Sequence, residues 1–165
     1  MGNIRRSRGY SFEHTLVQRL NNGVWNARRL GGSSTGLPDI IAVNNIEATL
    51  LSIEAKSGTG DALYVPQDQI KRSLLIRNMF SFYTTRHFIL AFKFMRKKRF
   101  KRKGQVVYEH RKLIEYYKIA DIFDNMDDIV AVKCTYEGKI FAIQGGKSKK
   151  LNLPDFVMPF YNNAA

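Results

Sequence analysis

Apolar residues recur at helical spacing through Phe12, Leu16, Val17 and Leu20, and Asn21-Asn22-Gly23 then breaks the pattern. The spacing predicts a helix over about 11–22. Residues 24–30 read as a strand with Arg28 and Arg29 near its end, and 40–43 and 48–55 are apolar runs of strand length on either side of the turn signal Asn44-Asn45. Helical spacing returns after Pro66: Ile70, Leu74, Leu75, Met79 and Phe80 fall on one face, Lys71, Arg72 and Arg77 on the other. Residues 87–94 give a further strand. The order α-β-β-β-α-β predicts an α/β fold, a mixed central β-sheet flanked by helices.

Downstream the pattern changes. Arg96-Lys97-Lys98-Arg99-Phe100-Lys101-Arg102-Lys103 is cationic at every position but one. Like charges that dense repel inside a packed element, which predicts a protruding loop or hairpin tip, with 106–108 and 113–119 as its returning strands. The runs 129–136 and 139–144 flank Glu137-Gly138 and read as a β-hairpin. The tail after Lys147 is polar and loosely specified, and the chain has no internal repeat. We divide it into a core over 1–94 and, over 95–165, a basic loop with a C-terminal β-rich extension of the same domain.

At 165 residues the chain suits one domain, and 44% hydrophobic residues are enough to build its core. Charge narrows the function more than size does. There are 27 Lys and Arg against 14 Asp and Glu, a formal charge of +13. Nucleic acid is the polyanion that most often balances such an excess. A membrane surface is the rival partner, but there is no apolar run of about 18 residues, no signal-peptide pattern and no lipidation motif at Met1-Gly2-Asn3-Ile4-Arg5-Arg6. The expectation is a cytoplasmic, nucleoid-associated protein with no membrane partner. Cys134, the single cysteine, lies in an apolar run with no nearby His and reads as a small core residue.

The chemistry concentrates in two segments. Leu37-Pro38-Asp39-Ile40-Ile41-Ala42 puts a carboxylate at the mouth of an apolar strand, and Ser52-Ile53-Glu54-Ala55-Lys56 puts Glu54 and Lys56 two apart, on one face of a strand. If the two strands pair antiparallel across Asn44-Asn45, Asp39 approaches Glu54. Two hard oxygen ligands plus a substrate phosphate suit Mg²⁺, and a lysine beside them can orient water and offset charge developing on phosphorus. Glu13, on the first helix, is a candidate third carboxylate. Each segment has a plainer reading, a turn-shaping Asp and an exposed Glu-x-Lys. Their apolar flanks argue against it, because a stray charge there is costly.

Several blocks in order resemble the archaeal Holliday junction resolvases of the Hjc type, within the PD-(D/E)xK nuclease superfamily. They are Arg8-Gly9, Phe12-Glu13, Arg29 through Gly32-Ser33, Pro38-Asp39-Ile40-Ile41-Ala42, Ile53-Glu54-Ala55-Lys56-Ser57, Leu63-Tyr64-Val65 and Gln69. The resemblance implies a restriction-endonuclease-like nuclease core, metal binding by Asp39 and Glu54, catalysis by Lys56, an essential acidic role for Glu13, and a supporting role for Ser33. It also implies a homodimer that acts on four-way DNA junctions in recombination and repair, and it places Gln69 near the site. Departures are Arg8-Gly9 where the family has Lys-Gly, the basic insertion over 95–112, and weak matching after Ile119.

The reading is therefore an Mg²⁺-dependent endodeoxyribonuclease, with Mn²⁺ as substitute, cutting four-way junctions in pairs. Its metal ligands are Asp39, Glu54 and Glu13, with Lys56 and Ser33 completing the site. DNA contacts are assigned to Arg5, Arg6, Arg8, Arg29, Gln69, Arg96, Lys97, Lys98, Arg99, Lys101, Arg102 and Lys103. Phe100, set among cations, has two readings, an idle aromatic of a basic loop or a base-stacking wedge. His14, His87 and His110 show no ligand spacing, and Trp25, Tyr64, Phe82 and Tyr83 read as core or dimer-interface aromatics. Two rivals remain: a repair or restriction-like nuclease on another DNA, and a non-catalytic basic nucleic-acid-binding protein. The acidic cluster separates the second from a nuclease, since a pure binder has no use for carboxylates facing phosphate.

Overall fold

The structure is a computed structural model that describes residues 4–31 and 36–161, with side chains from Gly9 onward. Helix α1 (Ile4–Leu20) leads into β1 (Trp25–Arg29), β2 (Ile40–Asn44), β3 (Thr49–Gly58) and β4 (Ala62–Pro66). Helix α2 (Gln67–Met79) and β5 (Thr85–Phe94) follow, then β6 (Lys97–Arg102), β7 (Gln105–His110) and β8 (Ile114–Ile119). The chain continues through the 3-10 turn Asp121–Asn125 and β9 (Ala131–Thr135), β10 (Ile140–Gln144) and β11 (Lys147–Leu151).

The central sheet is mixed, in the order β1-β2-β3-β5-β8, with β3 and β5 parallel and every other pair antiparallel. Parallel partners need a crossover, and β4 with α2 supplies it. The central pair is covered on both faces, which is why Leu50, Leu51 and Ile53 of β3 and the run from Phe88 to Phe92 of β5 are apolar and buried. On one face α1 lays Phe12, Leu16 and Leu20 against Ile40, Leu51, Ile53 and Ile89. Full burial of such side chains contributes about 1.5–3 kcal/mol each. On the other face Phe88, Leu90, Phe92 and Phe94 pack with Ile70 and Leu74 of α2 and with Val65, Val132, Cys134, Ile140 and Ala142. Those last five belong to a second, four-stranded sheet in the order β11-β10-β9-β4. Residues from 62–66 and from 131–151 thus share the second sheet, and β8 joins the first, so the two sequence segments interlace.

Several elements differ from the sequence expectation. Helix α1 begins well before residue 11 and ends at Leu20, where the Asn21 amide bonds both the N–H and the C=O of Ala27 and so fixes the turn into β1. Strand β4 is additional. It is short, ends in Pro66, and finds its partner far along the chain, Leu63 opposite Cys134. Residues 114–119 are not a returning strand of the basic hairpin but the edge of the central sheet, Tyr116 opposite Phe92. Nor is the tail loosely specified. Strand β11 pairs with β10, Phe156 N–H bonds Tyr117 C=O at 2.9 Å, and Met158 is fully buried.

The basic run forms a separate two-stranded ribbon, β6 with β7, which turns at Lys103-Gly104. Both turn residues have positive φ, +50° and +77°, the backbone of the tight turn that matches strand twist. At its root Arg99 N–H bonds Thr59 C=O at 3.0 Å, and Lys98 pairs with Asp61 at 3.0 Å. Among the described residues no helix is long and apolar enough to cross a membrane.

Candidate active site

Register brings the acids together. Ile40 faces Ile53 in the β2–β3 pair, so the residues one step outward, Asp39 and Glu54, lie opposite one another. Asp39 is anchored by Ala55 N–H, which donates to Oδ2 at 2.9 Å. Glu54 has no exposed surface and points to the α2 side of the sheet.

Helix α2 completes the cluster with residues that the hydrophobic pattern had put in solvent. Arg72 is not a surface cation: it is buried, and its Nε donates to Glu54 Oε1 at 2.7 Å and its Nη2 to Glu54 Oε2 at 3.1 Å. The same Nη2 reaches Asp39 Oδ1 at 3.4 Å. Ser73 Oγ donates to Glu54 Oε1 at 2.9 Å. The helix is rotated accordingly, burying Ile70, Arg72, Ser73, Leu74 and Ile76 while Leu75 and Met79 face out. Two buried acids demand a cation, and that demand overrides the simple apolar stripe. One sequence signal was available: Arg72 and Ser73 lie three and four residues after Gln69, on the same face of the helix.

Burial pushes the Glu54 carboxyl up to about 8; Asp39's charge adds to the push and the Arg72 fork opposes it. From the other side, burial works to lower the Arg72 guanidinium, but Glu54 overrides it and the net shift is upward. A guanidinium can only donate, and two of its three bonds land on Glu54, so the ionised pair fits the geometry.

Lys56 and Glu13 stand beside this pair. Lys56, two along β3 from Glu54, is partly buried and forms no ion pair among the described residues. Glu13 pairs with Arg29, whose guanidinium also lies 4.5 Å from the centre of the Tyr10 ring. Burial raises the Glu13 carboxyl, Asp39 raises it further, and Arg29 and Lys56 pull it down, so these groups share one electrostatic neighbourhood. Gln69 keeps an enclosed Oε1 with no hydrogen-bond partner among the described residues. Ser33 lies outside the described residues, as do the side chains of Arg5, Arg6 and Arg8. Arg96, Lys97, Arg99, Lys101, Arg102 and Lys103 are exposed around the ribbon, whereas Lys98 is partly buried at its root. Phe100 is partly buried opposite Val107.

The donor set suits a hard divalent cation. Asp39 and Glu54 turn one oxygen each toward a single positive nitrogen, so the site is already organised around a cation. Among the described residues no group of three His, Cys, Asp or Glu is close enough to hold a metal, which leaves a two-carboxylate set with Glu13 engaged by Arg29. A cavity of about 480 Å³ near Trp25, Asn44 and His87 lies at the other end of β3 and contains none of these groups.

No curated protein sequence matches this chain. Among solved structures it is similar to the Holliday junction resolvase Hjc of Archaeoglobus fulgidus, a hyperthermophilic archaeon, with 24% identity and a TM-score of 0.44 over 61% of this chain and 85% of that one. A sequence profile of the archaeal Holliday junction resolvases (Hjc) matches residues 4–133. With most of its length inside that match, the chain belongs to the archaeal Holliday junction resolvase family.

Proposed function

We propose that this resolvase cuts four-way DNA junctions by Mg²⁺-dependent phosphodiester hydrolysis, Mn²⁺ substituting, at a site made of Asp39, Glu54 and Lys56. The observation that carries the reading is the convergence of Asp39 and Glu54 on one cationic position, with Lys56 on the same strand and free of any ion pair among the described residues. Asp39 and Glu54 would hold the cation, Lys56 would orient the attacking water and offset charge on phosphorus, and Glu13 with Arg29 would support the water side. A bound divalent ion lowers the pKa of its water and neutralises phosphate charge. Ser33 is assigned to the phosphate region and Gln69 to the DNA near the site. Arg5, Arg6 and Arg8 are assigned to the DNA arms.

The exposed cations of the β6–β7 ribbon are the principal arm contact. Ser at Arg99, Lys101, Arg102 and Lys103 should flatten the plot of log affinity against log salt by roughly 3 to 4, at about 0.9 per phosphate contact. Filter binding across a salt series reads this directly, and an unchanged slope means that the ribbon does not touch DNA.

A four-way junction needs two incisions, and one chain offers one site, so the working unit is a two-fold dimer. One exposed apolar patch lies on the outer side of α2 and just beyond it, where Leu75, Met79, Phe80 and Phe82 are open, Phe82 at 95% exposure. Mixing wild type with Asp39→Asn chains should yield heterodimers that nick a junction once without resolving it. Efficient paired incision by a particle of strictly monomeric mass would overturn the dimer.

A further inference from the structure

The anchoring of the two carboxylates singles out one nitrogen. Asp39 spends Oδ2 on Ala55 N–H, and Glu54 spends Oε1 on Arg72 Nε and Ser73 Oγ. The oxygen left on each acid is the one that Arg72 Nη2 takes, at 3.4 Å from Asp39 Oδ1 and 3.1 Å from Glu54 Oε2. A Mg²⁺ ion bonded to those same oxygens at about 2.0–2.1 Å would fall on the ground Nη2 occupies, and two positive groups cannot share it.

We propose that Arg72 is an internal competitor for the metal: its Nη2 holds the cation position between Asp39 and Glu54 in the metal-free protein and leaves it when the divalent ion binds. The proposal rests on the metal-site reading above. Its physical logic is that Asp39 and Glu54, facing each other across β2 and β3 in a buried setting, repel unless a positive charge lies between them. Arg72 keeps that region folded before metal arrives, and so weakens apparent metal affinity. The displaced guanidinium has a destination. Asp68 stands one helical turn back, is exposed, and already acts on the Arg72 charge.

The test uses the full chain without DNA. Mn²⁺ binding, followed by the paramagnetic resonance signal of the free ion, is compared in wild type, Arg72→Met, Arg72→Lys and Asp39→Asn. Arg72→Met, which keeps bulk and loses charge, should bind Mn²⁺ about tenfold tighter or more, while Arg72→Lys stays near wild type. In chelator Arg72→Met should melt below wild type and regain stability on adding Mn²⁺ by a larger step than wild type shows. If that variant does not fold, the wild-type protein still decides. The Arg72 Nε–H resonance, identified by its loss in Arg72→Lys, should move and lose protection from exchange as Mg²⁺ saturates the site. Unchanged or weaker Mn²⁺ binding by Arg72→Met, or an unmoved Arg72 resonance at saturating Mg²⁺, overturns the competition. Equal Mn²⁺ binding by wild type and Asp39→Asn overturns the metal site itself, and the proposal with it.

Discussion

Lys56→Ala and Asp39→Asn should each lower junction cleavage by about a thousandfold or more while leaving the fold intact. Removing one preorganised charge from a hydrolytic site costs on the order of 10²–10³ in rate, and each of these groups serves more than one end: Lys56 the water and the phosphate, Asp39 the cation and its partner acid. Structural cost is small in both cases. Lys56 forms no ion pair among the described residues, and the amide introduced by Asp39→Asn retains an oxygen for Ala55 N–H. Cleavage of an end-labelled junction, with circular dichroism as the fold control, measures the outcome. Full activity in either variant removes that residue from the site.

Glu54→Ala belongs to a different class, because it breaks a buried ion pair. Glu54 accepts two bonds from Arg72 and one from Ser73 with no exposed surface, and truncating it leaves the guanidinium charged and without its main partner. Such a change destabilises by about 3–5 kcal/mol, whereas replacing both partners with apolar groups is often close to neutral. Glu54→Ala should therefore shift the urea midpoint strongly downward, and the double variant Glu54→Ala, Arg72→Met should recover most of the loss. A double variant no more stable than the single one would show that the pair is not what holds this part of α2 to the sheet.

Much of the fold was legible where the pairing is local. The turn at Asn44-Asn45 and the apolar runs on either side specify the β2–β3 hairpin, and that hairpin alone sets Asp39 opposite Glu54. Positive φ at Lys103 and Gly104 likewise gave the basic run a compact turn and made it a ribbon. What was hidden depends on partners distant in sequence. Strand β4 is five residues whose only ladder among the described residues is to β9, and β8 takes its place beside β5 across the whole ribbon insertion. Arg72 was missed for a related reason. Helical periodicity counts apolar residues, and α2 buries an arginine and a serine because two acids on β3 and at the start of β2 require donors. A charged site inverts the rule used to find the core.

Cleavage of branched DNA at one metal-dependent site is the expected activity. Its direct test is incubation of the purified protein with a four-way junction and with a linear duplex of the same sequence, each with Mg²⁺ and with excess chelator. Paired incision of the four-way junction is expected in Mg²⁺, with little cutting of the linear duplex and none of either in chelator. Full cleavage in chelator, equal cutting of both DNAs, or tight junction binding with no incision would contradict it.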